Sequence, residues 1–236
     1  MSIISFLKSR GISPDVWLDQ CFLSDEKIIE AFVKVAKVKP DDTVLEIGPG
    51  TGLLTKKIAK RVKKVVCVEK DYRLYELLNS LFINSNVEVV HDDIIKYGLK
   101  DFRIIVSSLP YSIVDWFFKQ LLMHDFEKAV VIISSKTFKK MRDESLLNSY
   151  LVFEKIMDVP KEAFYPTPSI DSVLVVVMMK DSKKLSEKES RIRRFYEKNS
   201  SKKVMAFIKD INVREGNKKI SDLSGKEIEK IISLKE

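Results

Sequence analysis

Residues 44–54 read VLEIGPGTGLL. An apolar run, Val44 to Ile47, meets three glycines, Gly48, Gly50 and Gly52. The segment LLTKKIAKRV follows, with Leu54, Ile58 and Val62 on one helical face. The whole chain of 236 residues has only 7 glycines, so this cluster marks a strand-to-helix turn that needs backbone freedom. Such a turn lets a ligand lie against the main chain near a helix N-terminus, although it is also compatible with a tight turn that binds nothing. The spacing excludes two familiar loops. The dinucleotide pattern G-x-G-x-x-G needs its third glycine at position 53, which is Leu53, and no G-x-x-x-x-G-K-[ST] occurs. The pattern present is E-x-G-x-G-x-G, led by Glu46.

Working outward, strand-like and helix-like segments alternate. SDEKIIEAFVKVAKV precedes the loop as a helix, with Ser24 as its cap, Asp25 and Glu26 at its positive end, and Ile28, Ile29, Phe32 and Val33 on one face. KVVCVE, NVEVVHDD, FRIIVSS and AVVIIS read as further strands, with helices YRLYELLNSLF and SIVDWFFKQLLMH between them. LVFEKIM and SVLVVVMM then form a pair with hairpin spacing, joined by the Pro-rich VPKEAFYPTPSID. The expectation is an α/β fold: a doubly wound, mostly parallel seven-stranded sheet with a closing antiparallel pair at one edge. Beyond Lys180 the text changes to Lys, Arg and Glu-rich helix, in SRIRRFYEK, SKKVMAFIKD and SGKEIEKIISL. The predicted division is a larger domain over 1–180 and a small basic helical domain over 181–236.

Composition bounds the rest. With 45% hydrophobic and 32% charged residues the chain is globular rather than disordered. Its longest clean apolar run, VLVVVMM, suits a buried strand and is too short for a membrane span. The N-terminus lacks the basic start and apolar stretch of a signal peptide. The two cysteines, Cys21 and Cys67, and two histidines, His91 and His124, show no metal-ligand spacing. A cytoplasmic, reduced protein with no metal and no membrane association is expected. Net charge is +8, and residues 181–236 carry 16 Lys or Arg against 10 Asp or Glu. That excess suits a polyanion such as nucleic acid, or a solvated Lys-rich surface.

Chemistry collects at the carboxyl ends of the strands, where open parallel sheets bind ligands. Glu69 ends the second strand; it can accept from both hydroxyls of a ribose, or stand as an ordinary loop acid beside Lys70. Asp92 and Asp93 end the third; a carboxylate there can accept from an adenine amine, or cap the helix that follows. Ser108, Leu109, Pro110 and Tyr111 follow the fourth strand, a polar-x-Pro-aromatic turn that can hold a flat, amino-bearing base or simply start a helix.

Together LEIGPGTGLLT, VVCVEKD, VVHDDI, SSLPYSI and FYPTPSIDSVLV resemble the rRNA adenine N6,N6-dimethyltransferases, the KsgA-type enzymes and their Erm relatives. LDQCFL resembles that family's Gln-Asn-Phe-Leu segment, and NKKISDLSGKEIEKI the end of its helical domain. The likeness runs from about residue 18 to the end. The glycine loop alone would say only S-adenosylmethionine (SAM) chemistry; the Phe-x-Pro-x-Pro-x-x-x-Ser segment, Phe164 to Ser172, narrows it.

The resemblance implies a SAM-dependent enzyme that dimethylates the N6 amine of two adjacent adenosines near the 3′ end of small-subunit rRNA. Gly48 and Gly50 would lie against the cofactor, Glu69 would take its ribose hydroxyls and Asp93 its adenine amine. Gln20, Cys21 and Leu23 would close over it, with Ser108 at its methyl end. Ser108, Leu109, Pro110 and Tyr111 would hold the target base, and Phe164 would supply a second aromatic wall. The partner implied is the immature small ribosomal subunit, met by Arg191, Arg193, Arg194, Lys202 and Lys203, and nothing demands more than a monomer. Two positions depart from the family pattern: Cys21 and Ser108 each stand where it has Asn. Ser108 still offers an acceptor, but a shorter one, and losing an aimed acceptor lowers a rate by about 10²–10³. An enzyme slower than, or differently tuned from, one with Asn there is therefore expected, rather than a dead one. The alternatives are an assembly factor that keeps the fold without the chemistry, and a nicotinamide oxidoreductase, against which Leu53 already argues.

Overall fold

The computed structural model describes residues 3–99, 101–142, 145–181, 185–199, 223 and 225–233. Its strands are β1 (Phe22–Leu23), β2 (Thr43–Ile47), β3 (Lys64–Glu69), β4 (Val87–His91), β5 (Ile104–Ser108), β6 (Lys128–Ser134), β7 (Leu151–Val159), β8 (Phe164–Tyr165) and β9 (Ser172–Met179). Seven of them form one sheet, ordered β4-β3-β2-β5-β6-β9-β7. β2 runs parallel to both β3 and β5, β3 parallel to β4, β5 parallel to β6, and β9 antiparallel to β6. The expected doubly wound, mostly parallel sheet is therefore present, with its reversed strand inserted next to β6.

This order has a consequence for ligands. β2 is the centre, and the chain leaves it toward β3 on one side and returns on the other at β5. Such a switch point opens a crevice beyond the carboxyl ends of the strands. Ile47, Glu69, His91 and Ser108 are the last residues of β2, β3, β4 and β5, so the glycine loop, the acids and the Pro-aromatic turn share one edge.

The apolar runs form the interior as a two-sided sheet requires. Val44, Leu45, Val65, Ile105, Val106, Val130 and Val131 are fully buried. Helix α1 (Glu26–Ala36) covers one face with Ile28, Ile29, Phe32, Val33 and Ala36. Phe32, Phe117 and Phe118 are completely enclosed, each contributing about 1.5–3 kcal/mol through burial. Asp25 caps α1, accepting from the N–H groups of Lys27 and Ile28, in place of the expected Ser24. Ser24 instead turns to the Ala163 carbonyl, donating through both its N–H (2.8 Å) and its hydroxyl (3.1 Å).

That contact belongs to an element with no sequence signal. β1 and β8 form a separate two-stranded antiparallel sheet, pairing Phe22 with Tyr165 and Leu23 with Phe164. The Pro-rich joiner between β7 and β9 is thus tied back to the N-terminal LDQCFL segment. Phe22 packs among Leu7, Ile12, Leu74 and Leu77, which anchors the small sheet.

Backbone contacts divide the chain into two compact units, Met1–Phe138 with Phe153–Met178, and Lys139–Val152 with Met179–Glu236. The stretch at 139–152 joins the second unit because Tyr150 packs there. The Arg193 guanidinium lies 4.5 Å from the centre of the Tyr150 ring, and Tyr196 meets that ring edge-on at 6.2 Å. The helices Glu187–Asn199 and Gly225–Ser233 bury Ile192, Tyr196, Ile228 and Ile231. Arg193 also bonds Glu197 at 3.2 Å, so it serves this unit's packing, whereas Arg194 is exposed. The expected helix SKKVMAFIKD, with Lys202 and Lys203, lies outside the described residues. Among the described residues no helix is long and apolar enough to cross a membrane.

Candidate active site

The glycine loop is folded by its φ angles. Gly48 and Gly50 sit at +61° and +57°, in the left-handed region that side chains disfavour. The Gly48 N–H donates to the Val68 carbonyl at 3.0 Å, fixing the loop to β3. A Cβ on Gly50 would stand 2.9 Å from the Phe22 ring, whereas one on Gly48 would find nothing nearer than Pro110, 3.9 Å away. The loop is thus packed under β1 at Gly50 and open toward the crevice at Gly48.

Glu69 is only 6% exposed at the end of β3. One oxygen accepts from the Asp71 N–H at 2.9 Å and the other from the Gly50 N–H at 3.3 Å. Burial outweighs these bonds and pushes its pKa up to about 7. Glu46, 2% exposed and leading the glycine motif, is raised to about 7 by the same cause, against hydrogen bonds from Thr55 and Cys67. Both acids retain acceptor capacity beside the loop.

Asp93 resolves its two sequence readings by satisfying one and remaining open to the other. It caps helix α2 (Ile94–Tyr97), accepting from the Ile95 N–H at 3.0 Å, and its second oxygen meets the Lys70 ammonium at 2.9 Å. Burial alone would raise its pKa, but the Ile95 N–H and Lys70 hold it below the usual carboxylate value. It still lines the crevice.

Gln20 spans the N-terminal segment and the sheet. Its amide nitrogen donates to Asp71 at 2.7 Å, and its oxygen accepts from the Asp15 N–H at 2.8 Å. Asp71 also receives the Arg73 guanidinium at 2.6 Å. Burial opposes the charge on Asp71, yet Arg73 and Gln20 together lower its pKa to about 2. Gln20 therefore holds the segment in place through both ends of its side chain. Asp71 and Arg73 carry no motif; the readable signal was an Asp one residue before the helix YRLYELLNSLF, a capping position that Asp71 does occupy.

Near the end of β5, the buried Ser107 hydroxyl donates to the Ile47 carbonyl at 2.7 Å and locks β5 to β2 at the crevice. The Leu109 N–H donates to the Ile132 carbonyl at 3.1 Å. Pro110 then turns the chain into a single 3-10 turn, Tyr111–Ile113. Tyr111 is 41% exposed and Phe164 is 6% exposed. Burial raises the Tyr111 phenol pKa, and the Ser172 side chain opposes that rise.

Two cavities meet here. The crevice measures 330 Å³ and is lined by Gln20, Cys21, Gly48, Gly50, Glu69 and Asp93, with Ser108 and Pro110 at one end. A slot of 30 Å³ lies between Tyr111 and Phe164, lined also by Leu109 and Ser172. Asp19, Cys21, Ser108 and Pro110 border both. The slot is smaller than a purine, so its lining must open to admit a base. Leu23 faces neither; it borders a 50 Å³ hollow behind the glycine loop, with Glu46 and Gly48. A larger hollow of 790 Å³ lies on the helical side of the loop against Phe82, but it holds none of the strand-end acids. The chemistry converges instead where crevice and slot share Ser108.

A crevice at the switch point, lined by a glycine cradle and strand-end carboxylates, with an aromatic slot at its end, defines a methyltransferase fold. Solved structures agree on that fold. The chain superposes on the 23S rRNA methyltransferase ErmE with TM-score 0.66 and 22% identity, over 90% of this chain and 98% of that one. It superposes on a dimethyladenosine transferase from Plasmodium falciparum with TM-score 0.65, 22% identity, and coverage of 90% and 96%. The ribosomal RNA adenine dimethylase family model matches residues 17–204, and the chain belongs to that family. Among curated relatives, a probable ribosomal RNA small subunit methyltransferase A from Pyrococcus furiosus is 31% identical over 96% of this chain and 93% of its own length. One of the same description from Pyrococcus abyssi is 33% identical over 96% and 94%.

Proposed function

We propose that this chain transfers methyl groups from SAM to the N6 amines of two adjacent adenosines near the 3′ end of small-subunit rRNA, during assembly of the small subunit. The observation that carries the reading is the junction at Ser108, where the crevice suited to a nucleoside cofactor meets the slot lined by Tyr111 and Phe164. A methyl donor in the first and an acceptor amine in the second would meet there.

The donor set suits SAM. Glu69 presents carboxylate oxygens for the ribose hydroxyls, Asp93 an acceptor for the adenine amine, and Gly48 leaves room for close backbone approach. Gln20 holds the covering segment, and Cys21 forms part of its inner wall. SAM, when bound, supplies an electrophilic methyl carbon on a sulfonium. The target adenine stacks between Tyr111 and Phe164, with its base drawn out of the helix or offered single-stranded. The Leu109 and Pro110 carbonyls and the Ser108 hydroxyl accept from the N6 amine and aim its lone pair in line with the methyl carbon. SAM would supply the methyl carbon, and the amine held by these acceptors would receive it and release a proton.

The basic second unit contacts rRNA phosphates, supported by the charge excess of residues 181–236 and by exposed Arg194. The chain works as a cytoplasmic monomer on immature small subunits. The test pairs calorimetry of SAM binding with transfer of labelled methyl groups to undermethylated small subunits. Both are expected. Binding to subunits without incorporation would refute the proposal and favour an assembly factor that keeps only the fold.

A further inference from the structure

Asp19 stands at the junction of the two cavities. It borders both the 330 Å³ crevice and the aromatic slot. Its backbone sits at φ 53°, in the left-handed region that glycine takes freely and that a side chain enters at a cost. One carboxylate oxygen accepts from the Ser112 N–H at 2.9 Å, across 93 residues of chain. That bond fixes the carboxylate beside the 3-10 turn that carries Tyr111. Only one oxygen is used in it, and no ion pair engages the other among the described residues. The charge acts on both sides of the slot: after burial, it helps raise the Cys21 thiol pKa, and it contributes to the rise of the Tyr111 phenol.

The reaction proposed above leaves a specific need at this spot. As N6 takes the methyl carbon, positive charge develops on a nitrogen that still holds its protons. Ser108 is a short acceptor for that amine. A fixed negative charge aimed at the position where positive charge develops is the strongest form such assistance takes.

We infer that Asp19 is a catalytic residue of this enzyme: its free carboxylate oxygen accepts from the target N6 amine and stabilises the cationic nitrogen, supplying the acceptor strength that Ser108 lacks. The inference rests on the proposed methyl transfer. In balance, the N–C bond forms, the C–S pair goes to sulfur, and the N6 proton passes to the Asp19 carboxylate or to water.

The test uses the full chain on undermethylated small subunits at saturating SAM, with Asp19→Asn, Asp19→Gly, Ser108→Asn and the double variant Asp19→Gly/Ser108→Asn. Asp19→Asn keeps an oxygen for the Ser112 N–H and removes only the charge; it is expected to lower kcat about 10-fold. Asp19→Gly suits the backbone angle, so its melting temperature should equal or exceed that of wild type while kcat falls about 10²-fold. Subunit affinity is expected to hold in both. Ser108→Asn should restore much of the rate in the Asp19→Gly background and change wild type far less. A wild-type chain that methylates, with Asp19→Asn and Asp19→Gly equally fast, overturns this inference alone. So does a loss in Asp19→Gly that Asp19→Asn does not share, since that assigns Asp19 to holding Ser112. A wild-type chain that binds SAM and subunits but transfers no methyl overturns the underlying function and this inference with it.

Discussion

Two glycines of one loop are expected to respond differently to alanine, and the difference comes from what each faces. Gly48 and Gly50 have nearly the same φ, +61° and +57°, so a Cβ at either carries a similar backbone penalty of about 1–2 kcal/mol. At Gly50 the new Cβ would also stand 2.9 Å from Cδ1 and 3.3 Å from Cε1 of Phe22. Phe22 cannot retreat easily, being paired with Tyr165 and packed among Leu7, Ile12, Leu74 and Leu77. Overpacking of this kind adds about 1–3 kcal/mol. Gly50→Ala should therefore destabilise by about 2–5 kcal/mol, and Gly48→Ala by about 1–2 kcal/mol. At about 2–4 °C per kcal/mol for a chain this long, scanning calorimetry should separate their melting temperatures. SAM affinity should invert the order. The Cβ of Gly48→Ala meets no protein atom within 3.9 Å and projects toward the crevice, so titration calorimetry should show SAM binding about 10-fold weaker or worse, despite the milder loss of stability. A Gly48→Ala variant that melts lower than Gly50→Ala, or binds SAM as wild type does, would refute the idea of a loop packed at one glycine and open to ligand at the other.

The two buried acids give pH signatures. Glu69 in the free protein titrates at about 7, and ribose hydroxyls prefer the charged form, so SAM affinity should rise between about pH 6 and pH 8 and then level off; titration calorimetry on wild type and Glu69→Gln checks this, the variant being weaker and flat with pH. Glu46 has a folded pKa raised to about 7 from an ordinary 4.5, so its contribution to stability is complete below about 4.5 and lost as pH rises through 7. The span corresponds to about 3 kcal/mol, so Glu46→Gln should flatten the fall in melting temperature of the free protein between about pH 5 and pH 8; a fall as steep as that of wild type would contradict this. In the second unit, Arg193→Ala removes the guanidinium from the Tyr150 ring and from Glu197, and should lower stability by about 1–2 kcal/mol in urea unfolding.

The sheet was legible because its strands are long and its chemistry local. The apolar runs in KVVCVE and AVVIIS read as buried strands, and the glycine run announces its own turn. The sheet of β1 and β8 was not legible because two-residue strands have no periodicity, and their pairing joins Leu23 to Phe164 across most of the first unit. Ser24 was misread for the same reason: a hydroxyl near a helix start looks like a cap until Ala163 arrives from far along the chain. The strand-end acids could be found, but their states could not. Burial raises Glu69 while Lys70 and the Ile95 N–H hold Asp93 down, and neither effect shows in residue type alone. Asp19 has no motif of its own. Its interest appears only when Ser112, the crevice and the slot come together around it.

The central claim, that crevice and slot meet at Ser108 so that a methyl group can pass to adenine N6, is tested most directly by mapping the product. Undermethylated small subunits are incubated with the wild-type chain and SAM, and the 3′ segment of their rRNA is sequenced by mass spectrometry. The account predicts the mass of two added methyl groups on each of two adjacent adenosines, and none elsewhere. Methyl groups on other bases, or subunits that bind the chain and SAM yet gain no mass, would contradict it.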